Sequence, residues 1–366
     1  DGMVDITVAV GIPRALAGGG GGGESGGGQG PVVLVQTVRA SSIPEGLQLL
    51  NTTINRRLVV YHNKVFVFGR SLAERGLGRF FFLLARGRQY RRDVPVMIAD
   101  GRASDALRMQ PTLEQNPALY LYTLERLSDY TGYFPSTNVT RMLLAFDALS
   151  EEIILPILHL SPVQGVREAT SESDRGQVGH VQMSGTALFR NDRMVGELSP
   201  DETQALLLLR GEWTQPSIIV VDDPSIDDAR DGKVTVEIQE EIPPKIEVMA
   251  LHPRPRLRVD IRMDGEILDQ YSSSDVSLNE EVLRQIEQQI SRSLLNRMEG
   301  VLERLQKLRI DSIGFGNYVR AKMLTEEEWV RYRWPEQFPY AEIELRIDVE
   351  LRRTGMITKP PRVQGT

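Results

Sequence analysis

The sequence predicts an α+β protein of three small domains, each a mostly antiparallel or mixed sheet covered by helices. From Val282 to Leu308, apolar residues recur every three or four positions, as the helical repeat of about 3.6 residues requires. In Ala341–Leu351, apolar and charged residues alternate, which is typical of a strand with one buried face. A helix that covers the dry face of such a sheet gives a layered α+β unit. The 366 residues exceed the size of one ordinary core.

The chain divides into three predicted domains. Residues 1–112 form an N-terminal α/β domain with a flexible Gly-rich loop at 18–30, and residues 113–228 form a central α+β domain. Residues 229–366 form a C-terminal domain of one antiparallel sheet and the long amphipathic helix. The acidic, Pro-containing stretch Asp222–Gly232 marks the second boundary.

The first domain opens with two apolar strands that the Gly-rich loop joins. Composition and turn residues then predict alternating helices and strands. The predicted elements are Ile6–Ile12, Val32–Val38, helix Pro44–Asn55, strands Leu58–Tyr61 and Lys64–Phe68 turned at His62-Asn63, helix Ser71–Leu84, strand Pro95–Ala99, and a short helix capped by Ser104.

The central domain contains a clear hairpin and a clear helix start. Val181–Phe189 and Met194–Leu198 turn at Asn191-Asp192, and Ser199 stands three residues before Glu202, the spacing of a capping box. The other predicted elements are helices Pro117–Asp129 and Val139–Leu149, the latter capped by Thr137 or Asn138, and strands Ile153–Leu160 and Ser217–Val221.

The C-terminal domain begins with a meander of strands ahead of the long helix. A second capping-box spacing, Ser277 with Glu280, marks where that helix starts. The predicted strands are Lys233–Glu240, Ile246–Leu251, Arg256–Met263 and Ile267–Tyr271.

Composition excludes several classes of function. The chain has no cysteine, so thiol catalysis and Cys-ligated metal sites are excluded. The net charge of −7 disfavours nucleic acid as a partner. No stretch approaches the roughly 18 apolar residues of a membrane span. Because the chain begins at Asp1 rather than methionine, we expect a trimmed mature region whose targeting segment precedes it.

No set of residues supplies a nucleophile, a base and an oxyanion site together. The four histidines lack the spacing of a zinc site, and the acidic run from Asp222 to Asp231 lacks the glutamate that completes a calcium loop. Gly314-Phe315-Gly316 follows a helix rather than a strand, so it indicates a helix end and a tight turn rather than a dinucleotide site. We therefore predict no enzyme, no metal and no cofactor.

Two clusters are candidate partner contacts. Arg86, Arg88 and Arg91 belong to a basic segment around Phe80-Phe81-Phe82. This segment would bind an anionic lipid surface or an acidic partner, although a buried Phe face followed by a charged loop is the favoured interpretation.

The second candidate contact is aromatic. Trp329, Trp334 and Phe338 lie between the long helix and the last strand. Aromatic residues are favoured both in cores and at interface hot spots, and the core interpretation is the favoured one here.

Three stretches in order resemble one known family. They are Val96–Leu107 with its ADG and DAL triplets, GTALFRNDRMVGELS over Gly185–Ser199, and QKLRIDSIGFG over Gln306–Gly316 followed by Trp329, Trp334 and Phe338. Together they resemble the Ger(x)C family, the C subunits of nutrient germinant receptors of bacterial spores.

The resemblance implies a non-enzymatic lipoprotein that acts in spore germination. It would be tethered by a lipid such as palmitate to the extracytoplasmic face of the spore inner membrane. Its partners would be the membrane-embedded A and B subunits of the receptor, with no nucleic acid and no cofactor. The chain departs from the family in having no cysteine to carry the lipid.

An exported solute-binding or carbohydrate-processing protein is the alternative. Its support is paired carboxylates, Glu151-Glu152 and Glu240-Glu241. Adjacent residues on a strand point to opposite faces, so neither pair flanks one bond by itself.

Overall fold

The computed structural model describes residues 2–12, 33–109, 111, 114–160, 181–213, 216–224, 232–271 and 280–354. These residues form three sheets covered by helices, which confirms the α+β class. The predicted Gly-rich loop, His180, Ser277 and most of the acidic run lie outside the described residues.

The N-terminal hairpin is a sheet of two antiparallel strands, β1 (Val4–Gly11) and β2 (Val33–Ala40). Helix α1 (Ile43–Leu50) packs closely on it, because Gly46 faces Ile6 where a Cβ would come within 2.7 Å of the Ile6 Cδ1 atom. The hairpin and this helix contribute Val4, Ile6 and Ile43 to the core beneath the next sheet.

The second sheet is mixed and has five strands in sequence order. Strands β3 (Phe66–Gly69), β4 (Val96–Ala99) and β5 (Ile154–His159) run parallel to one another. Strands β6 (Gln182–Arg190) and β7 (Arg193–Leu198) then form the predicted antiparallel hairpin. Strand β4 is buried over its whole length, as expected of a central parallel strand.

Seven helices among the described residues accompany this sheet. They are α2 (Arg70–Arg75), α3 (Gly78–Arg86), α4 (Ala103–Arg108), α5 (Pro117–Glu125), α6 (Ser128–Thr131), α7 (Val139–Asp147) and α8 (Pro200–Arg210). Asn138 caps α7 through its side chain, and Ser199 with Glu202 forms the predicted capping box of α8.

Four local predictions for this region were wrong. The single helix over Pro117–Asp129 is α5 and α6, which are separated at Arg126-Leu127. The single helix over Ser71–Leu84 is two helices, because Gly76 has a φ of 121° that ends the first of them. Residues Val60–His62 form a 3₁₀ turn where a strand was predicted over Leu58–Tyr61. Ser104 lies inside α4 and does not cap it.

The third sheet has the order β11-β10-β9-β8 and is also mixed. Strands β8 (Ser217–Asp222), β9 (Lys233–Ala250) and β10 (Arg256–Tyr271) are antiparallel. The four short strands predicted between Lys233 and Tyr271 are thus two long ones. The β9–β10 pairing shifts register between Glu240 and Lys245, where one break was predicted, whereas it runs without a shift from Met263 to Ile267.

The last strand corrects the prediction of an antiparallel C-terminal sheet, because it is parallel to its neighbour. Helix α9 (Glu280–Leu308) has the predicted length and its stripe from Val282 to Leu305 is buried. It connects β10 to β11 (Glu342–Thr354), which pairs parallel to β10. A crossover through a helix that covers the sheet returns the chain to the starting end of β10, so the new strand runs parallel.

Short helices fill the space between α9 and β11. They are α10 (Phe315–Arg320), α11 (Glu326–Tyr332) and α12 (Trp334–Gln337), followed by a 3₁₀ turn at Phe338–Tyr340.

Strand pairing crosses both predicted domain boundaries. Strands β3 and β4 share a sheet with β5, although a boundary was predicted near residue 112. Strand β8 pairs with β9 across the acidic stretch that was predicted to separate domains. The hydrophobic core of the third sheet also includes residues of α8.

Candidate functional site

A buried carboxylate organises the segment that follows α9. Asp311 accepts hydrogen bonds from the backbone N–H groups of Ile313, Gly314 and Gly316 at 3.2, 2.8 and 2.8 Å. The indole N–H of Trp334 donates to the same carboxylate at 2.8 Å. Four donors match the lone pairs that a carboxylate offers. Burial raises the pKa of Asp311, and the bonds from Gly316 and Trp334 oppose that shift.

Glycine is required at two positions of this segment, for a different physical reason at each. Gly314 has a φ of 89° and is the N-cap of α10, so the predicted tight turn is confirmed. The predicted helix end is wrong, because α9 ends at Leu308 and the glycines begin a new helix. Gly316 has no space for a side chain, because a Cβ would lie 2.4 Å from the Ser150 carbonyl oxygen and 2.5 Å from Trp334 Cδ1.

The segment before β5 docks directly on this turn. The Ser150 hydroxyl donates to Asn317 Oδ1 at 2.6 Å, and the Glu152 N–H donates to the Asp311 carbonyl oxygen at 2.9 Å. We call Ser150, Glu152, Asp311, Gly316 and Trp334 the junction. It fastens the second sheet to the helices of the third.

A second carboxyl group in the junction titrates near neutrality. Glu152 Oε2 accepts a hydrogen bond from the Asn191 N–H at 2.8 Å, at the tip of the β6–β7 hairpin. Burial raises the pKa of Glu152 to about 7, and the negative charge of Asp311 adds to this while the Asn191 bond opposes it. The hairpin tip is thus attached to the junction through a group whose charge changes near pH 7.

A cavity of about 270 Å³ lies beside the junction. Arg210 donates to the Ser312 carbonyl oxygen at 2.5 Å and to Glu212 Oε1 at 3.1 Å, and its guanidinium lies 3.9 Å from Glu151. Arg210 Nε and Ser312 Oγ are buried without a hydrogen-bond partner in the described part of the chain. The charged and hydroxyl residues of its lining are Ser136, Thr137, Arg141, Glu151, Glu152, Arg210 and Glu212.

The carboxylates of this cavity do not form a glycosidase-like pair. Glu151 approaches Arg210, whereas Glu152 binds the hairpin at Asn191, so their oxygens serve different partners. The side chains of Glu240 and Glu241 lie outside the described set.

The candidate aromatic contacts belong to the core. Trp329, Trp334 and Phe338 expose 2%, 1% and 0% of their surface, so they offer none to a partner. The Trp334 ring stacks on the Tyr332 ring with their centroids 6.5 Å apart, and its centroid lies 5.7 Å from that of the Phe338 ring. All three side chains therefore lie in the core, as the favoured interpretation expected.

The candidate arginines lie on the surface. Arg86 ends α3, and Arg88 and Arg91 follow it; all three are exposed. Arg91 forms an ion pair with Asp93, whereas Arg86 and Arg88 have no ion pair among the described residues. The structure does not bring them near the aromatic candidates, since α3 packs in the core of the second sheet.

The pairing of His159 with Asp100 was not predicted from the sequence. His159 Nδ1 lies 3.0 Å from Asp100 Oδ2, and its Nε2 lies 3.0 Å from the Ser184 carbonyl oxygen. Both residues stand at the carboxyl ends of predicted strands, and that shared position was the available signal. The pair connects the ends of β4, β5 and β6.

The described residues contain neither a metal-binding cluster nor a helix able to span a membrane. No cluster of three or more His, Asp or Glu side chains there could hold a metal ion. In the same residues, no helix combines the length and hydropathy needed to cross a bilayer.

Comparison with protein families gives two matches that cover most of the chain. Residues 1–160 match the spore germination protein N-terminal domain, and residues 184–355 match the domain described as spore germination B3/GerAC like, C-terminal. The junction lies where these two segments meet, with Ser150 and Glu152 in the first and Asp311 in the second.

Individual proteins show the same relationship. The chain is 23% identical to the putative spore germination protein YfkR of Bacillus subtilis, over 89% of this chain and 80% of that protein. It is 24% identical to spore germination protein KC of Bacillus subtilis, over 91% and 82% of the two chains. The crystal structure of the GerBC protein shares its fold with a TM-score of 0.59 at 16% identity, over 90% and 91% of the chains.

The chain therefore belongs to the Ger(x)C family of spore germinant receptor C subunits. Its two family segments, its mixed sheets and the shared fold agree on this assignment.

Proposed function

We propose that the protein is the extracytoplasmic lipoprotein subunit of a spore nutrient germinant receptor. It acts without catalysis, by docking to the membrane-embedded A and B subunits at the spore inner membrane. The observation that carries this proposal is the pair of family matches that follow the chain from residue 1 to residue 355 with one short gap.

The geometry supports docking rather than chemistry. The buried charges of the junction are held by backbone N–H groups, which fixes two sheets relative to each other. A protein that works by docking benefits from this rigidity. A flexible surface loses conformational entropy when binding orders it, and this cost lowers the affinity. Arginines without an ion pair among the described residues, such as Arg86, and exposed apolar side chains, such as Leu324 at 92% exposure, lie outside this rigid centre.

The experiment uses the parent gene in its host. Spores are fractionated, lipid attached to the protein is measured by radiolabelling, and the inner-membrane fraction is solubilised for co-purification with the A and B subunits. Recovery of a lipid-labelled protein together with both subunits is the expected result. A protein without lipid that remains apart from both subunits would overturn the proposal.

The cavity beside the junction favours one second candidate, a solute-binding protein. Its mixture of guanidinium and carboxylate groups would suit a small zwitterion, and its volume of about 270 Å³ would hold one. Calorimetric titration with amino acids and sugars tests this candidate. Saturable binding that Arg210→Gln removes would support it, and no binding at millimolar concentrations would exclude it.

A further inference from the structure

Helix α3 presents a basic stripe on a protein whose overall charge is negative. Residues 70–92 contain seven arginines and one glutamate, while the whole chain has a net charge of −7. The remainder of the molecule is therefore strongly acidic. The segment has a net charge of +6 (seven arginines less one glutamate), against −13 for the rest of the chain.

The exposed stripe of α3 alternates charge with an aromatic ring. Arg79, Phe82 and Arg86 are separated by three and four positions and so lie on one face of the helix. All three are exposed, Phe82 by 61%, while Phe80, Phe81 and Leu84 are buried on the opposite face.

The loop after α3 extends this surface. Arg92 donates to the Ala85 carbonyl oxygen at 3.1 Å, which holds it against the last turn of the helix. We call Arg79, Phe82, Arg86, Arg88 and Arg92 the arginine face. The exposed acidic residues closest to it along the chain are Glu74 and Asp93, and Asp93 is already paired with Arg91.

The N-terminal end of the described chain lies against the same helix. Arg79 Nη1 donates to the Gly2 carbonyl oxygen at 2.6 Å, and Met3 beside it is 38% exposed. The start of the described chain thus borders the arginine face.

We propose that the arginine face binds the headgroups of anionic phospholipids and so orients the protein on the membrane. This inference rests on the proposed function for its setting. Guanidinium groups bind phosphate oxygens through paired hydrogen bonds, and the exposed Phe82 ring reaches the boundary between headgroups and acyl chains. The rest of the chain carries a net negative charge, so an anionic surface favours the orientation that presents this face.

The test measures sedimentation of the purified 366-residue chain with vesicles. One set contains phosphatidylcholine alone, and the other contains about one third phosphatidylglycerol. Each arginine near an anionic surface contributes about fivefold in affinity, so Arg86→Gln with Arg88→Gln should weaken binding roughly 25-fold. Raising the salt concentration should weaken binding of the unchanged protein as well.

The matched control is Arg292→Gln with Arg331→Gln. Both residues are exposed and without an ion pair among the described residues, and the pair removes the same charge far from α3 in the sequence. Binding to anionic vesicles that only the first double variant weakens supports the proposal. No binding, equal binding to neutral vesicles, or equal loss in both double variants would overturn it.

A second outcome separates lipid from an acidic protein partner. Loss of A or B subunit co-purification in the Arg86→Gln, Arg88→Gln variant, with vesicle binding unchanged, would overturn the lipid assignment and give this surface to a protein. If the purified chain does not bind vesicles, but the protein from spores carries lipid and co-purifies with both subunits, this inference fails and the proposed function stands. If it binds anionic vesicles but is never found with those subunits, the proposed function fails instead.

Discussion

The junction buries its charge among hydrogen-bond donors, whereas the arginine face exposes its charges to solvent. In the junction, the Asp311 carboxylate is buried and each donor around it has a defined place. On the arginine face, Arg86 and Arg88 are exposed and have no ion pair among the described residues. A buried charge is costly unless it is fully hydrogen-bonded, whereas an exposed one costs little to leave without a protein partner. We infer that the first region stabilises the fold and the second is available for contact.

The largest expected effect is at the centre of the junction. Asp311→Ala leaves the N–H groups of Gly314 and Gly316 and the Trp334 indole without their acceptor, so we expect a loss of about 3 kcal/mol in the free energy of unfolding. Urea unfolding followed by tryptophan fluorescence measures it. Asp311→Asn should lose less, because its amide oxygen still accepts. The control is Glu299→Ala on the exposed face of α9. A change within 0.5 kcal/mol for Asp311→Ala, on the order of a neutral surface substitution, would refute the structural role.

The next effect concerns close packing rather than charge. Gly316→Ala places a Cβ against the Ser150 carbonyl oxygen and the Trp334 ring, so we expect about 2 kcal/mol of destabilisation. Gly300→Ala in α9 is the matched control, since nothing lies within 4 Å of its added Cβ. Because alanine is the better helix former, this control should stabilise the protein by about 0.5–1 kcal/mol. The same sign for both substitutions would contradict the close approach seen in the junction.

Features encoded within a few residues were predictable from the sequence. The stripe of α9 follows from the helical repeat, and the hairpin at Asn191-Asp192 and the capping box at Ser199 follow from turn and cap chemistry. The pairing of β11 beside β10 was not predictable, because it depends on where a long crossover returns the chain. The split of the predicted Ser71–Leu84 helix depended on the backbone of one residue, Gly76.

The candidate site was visible in the sequence only in part. The motif around Asp311 carried the family resemblance, but its carboxylate is held mainly by backbone N–H groups, which no residue type reveals. Trp334 was noticed as an aromatic residue, while its role became clear only from its bond to Asp311 and its burial. Ser150 and Gly316 are far apart in sequence, so no local pattern could show that they touch.

A smaller effect should depend on pH. The folded state holds the Glu152 proton more tightly than the unfolded chain, since burial raises its pKa from 4.5 to about 7. The unfolding free energy contributed by this group is therefore greatest below pH 4.5 and is lost as the pH rises through 7. Glu152→Gln should remove this loss, so the variant should gain about 1 to 2 kcal/mol relative to the unchanged protein between about pH 5 and pH 8. That is less than the full pKa shift of Glu152 would give, because the side chain is partly exposed.

Unfolding in urea at both pH values measures the difference, with Glu299→Gln as the control. Parallel pH profiles for Glu152→Gln and the unchanged protein would show that Glu152 does not titrate in the junction.

The smallest effect on stability is expected on the arginine face. Arg86→Gln with Arg88→Gln removes two exposed charges that make no ion pair with described residues, so the free energy of unfolding should change by less than about 0.5 kcal/mol. The measurement is again urea unfolding, made on the same preparation that is used for vesicle sedimentation. A loss of unfolding free energy comparable to that of Asp311→Ala would contradict the difference between the two regions, because these arginines would then stabilise the fold as the junction does. If the stability is unchanged, the variant added to the vesicles is as fully folded as the original protein. Any loss of vesicle binding is then due to the two missing arginine charges rather than to unfolding.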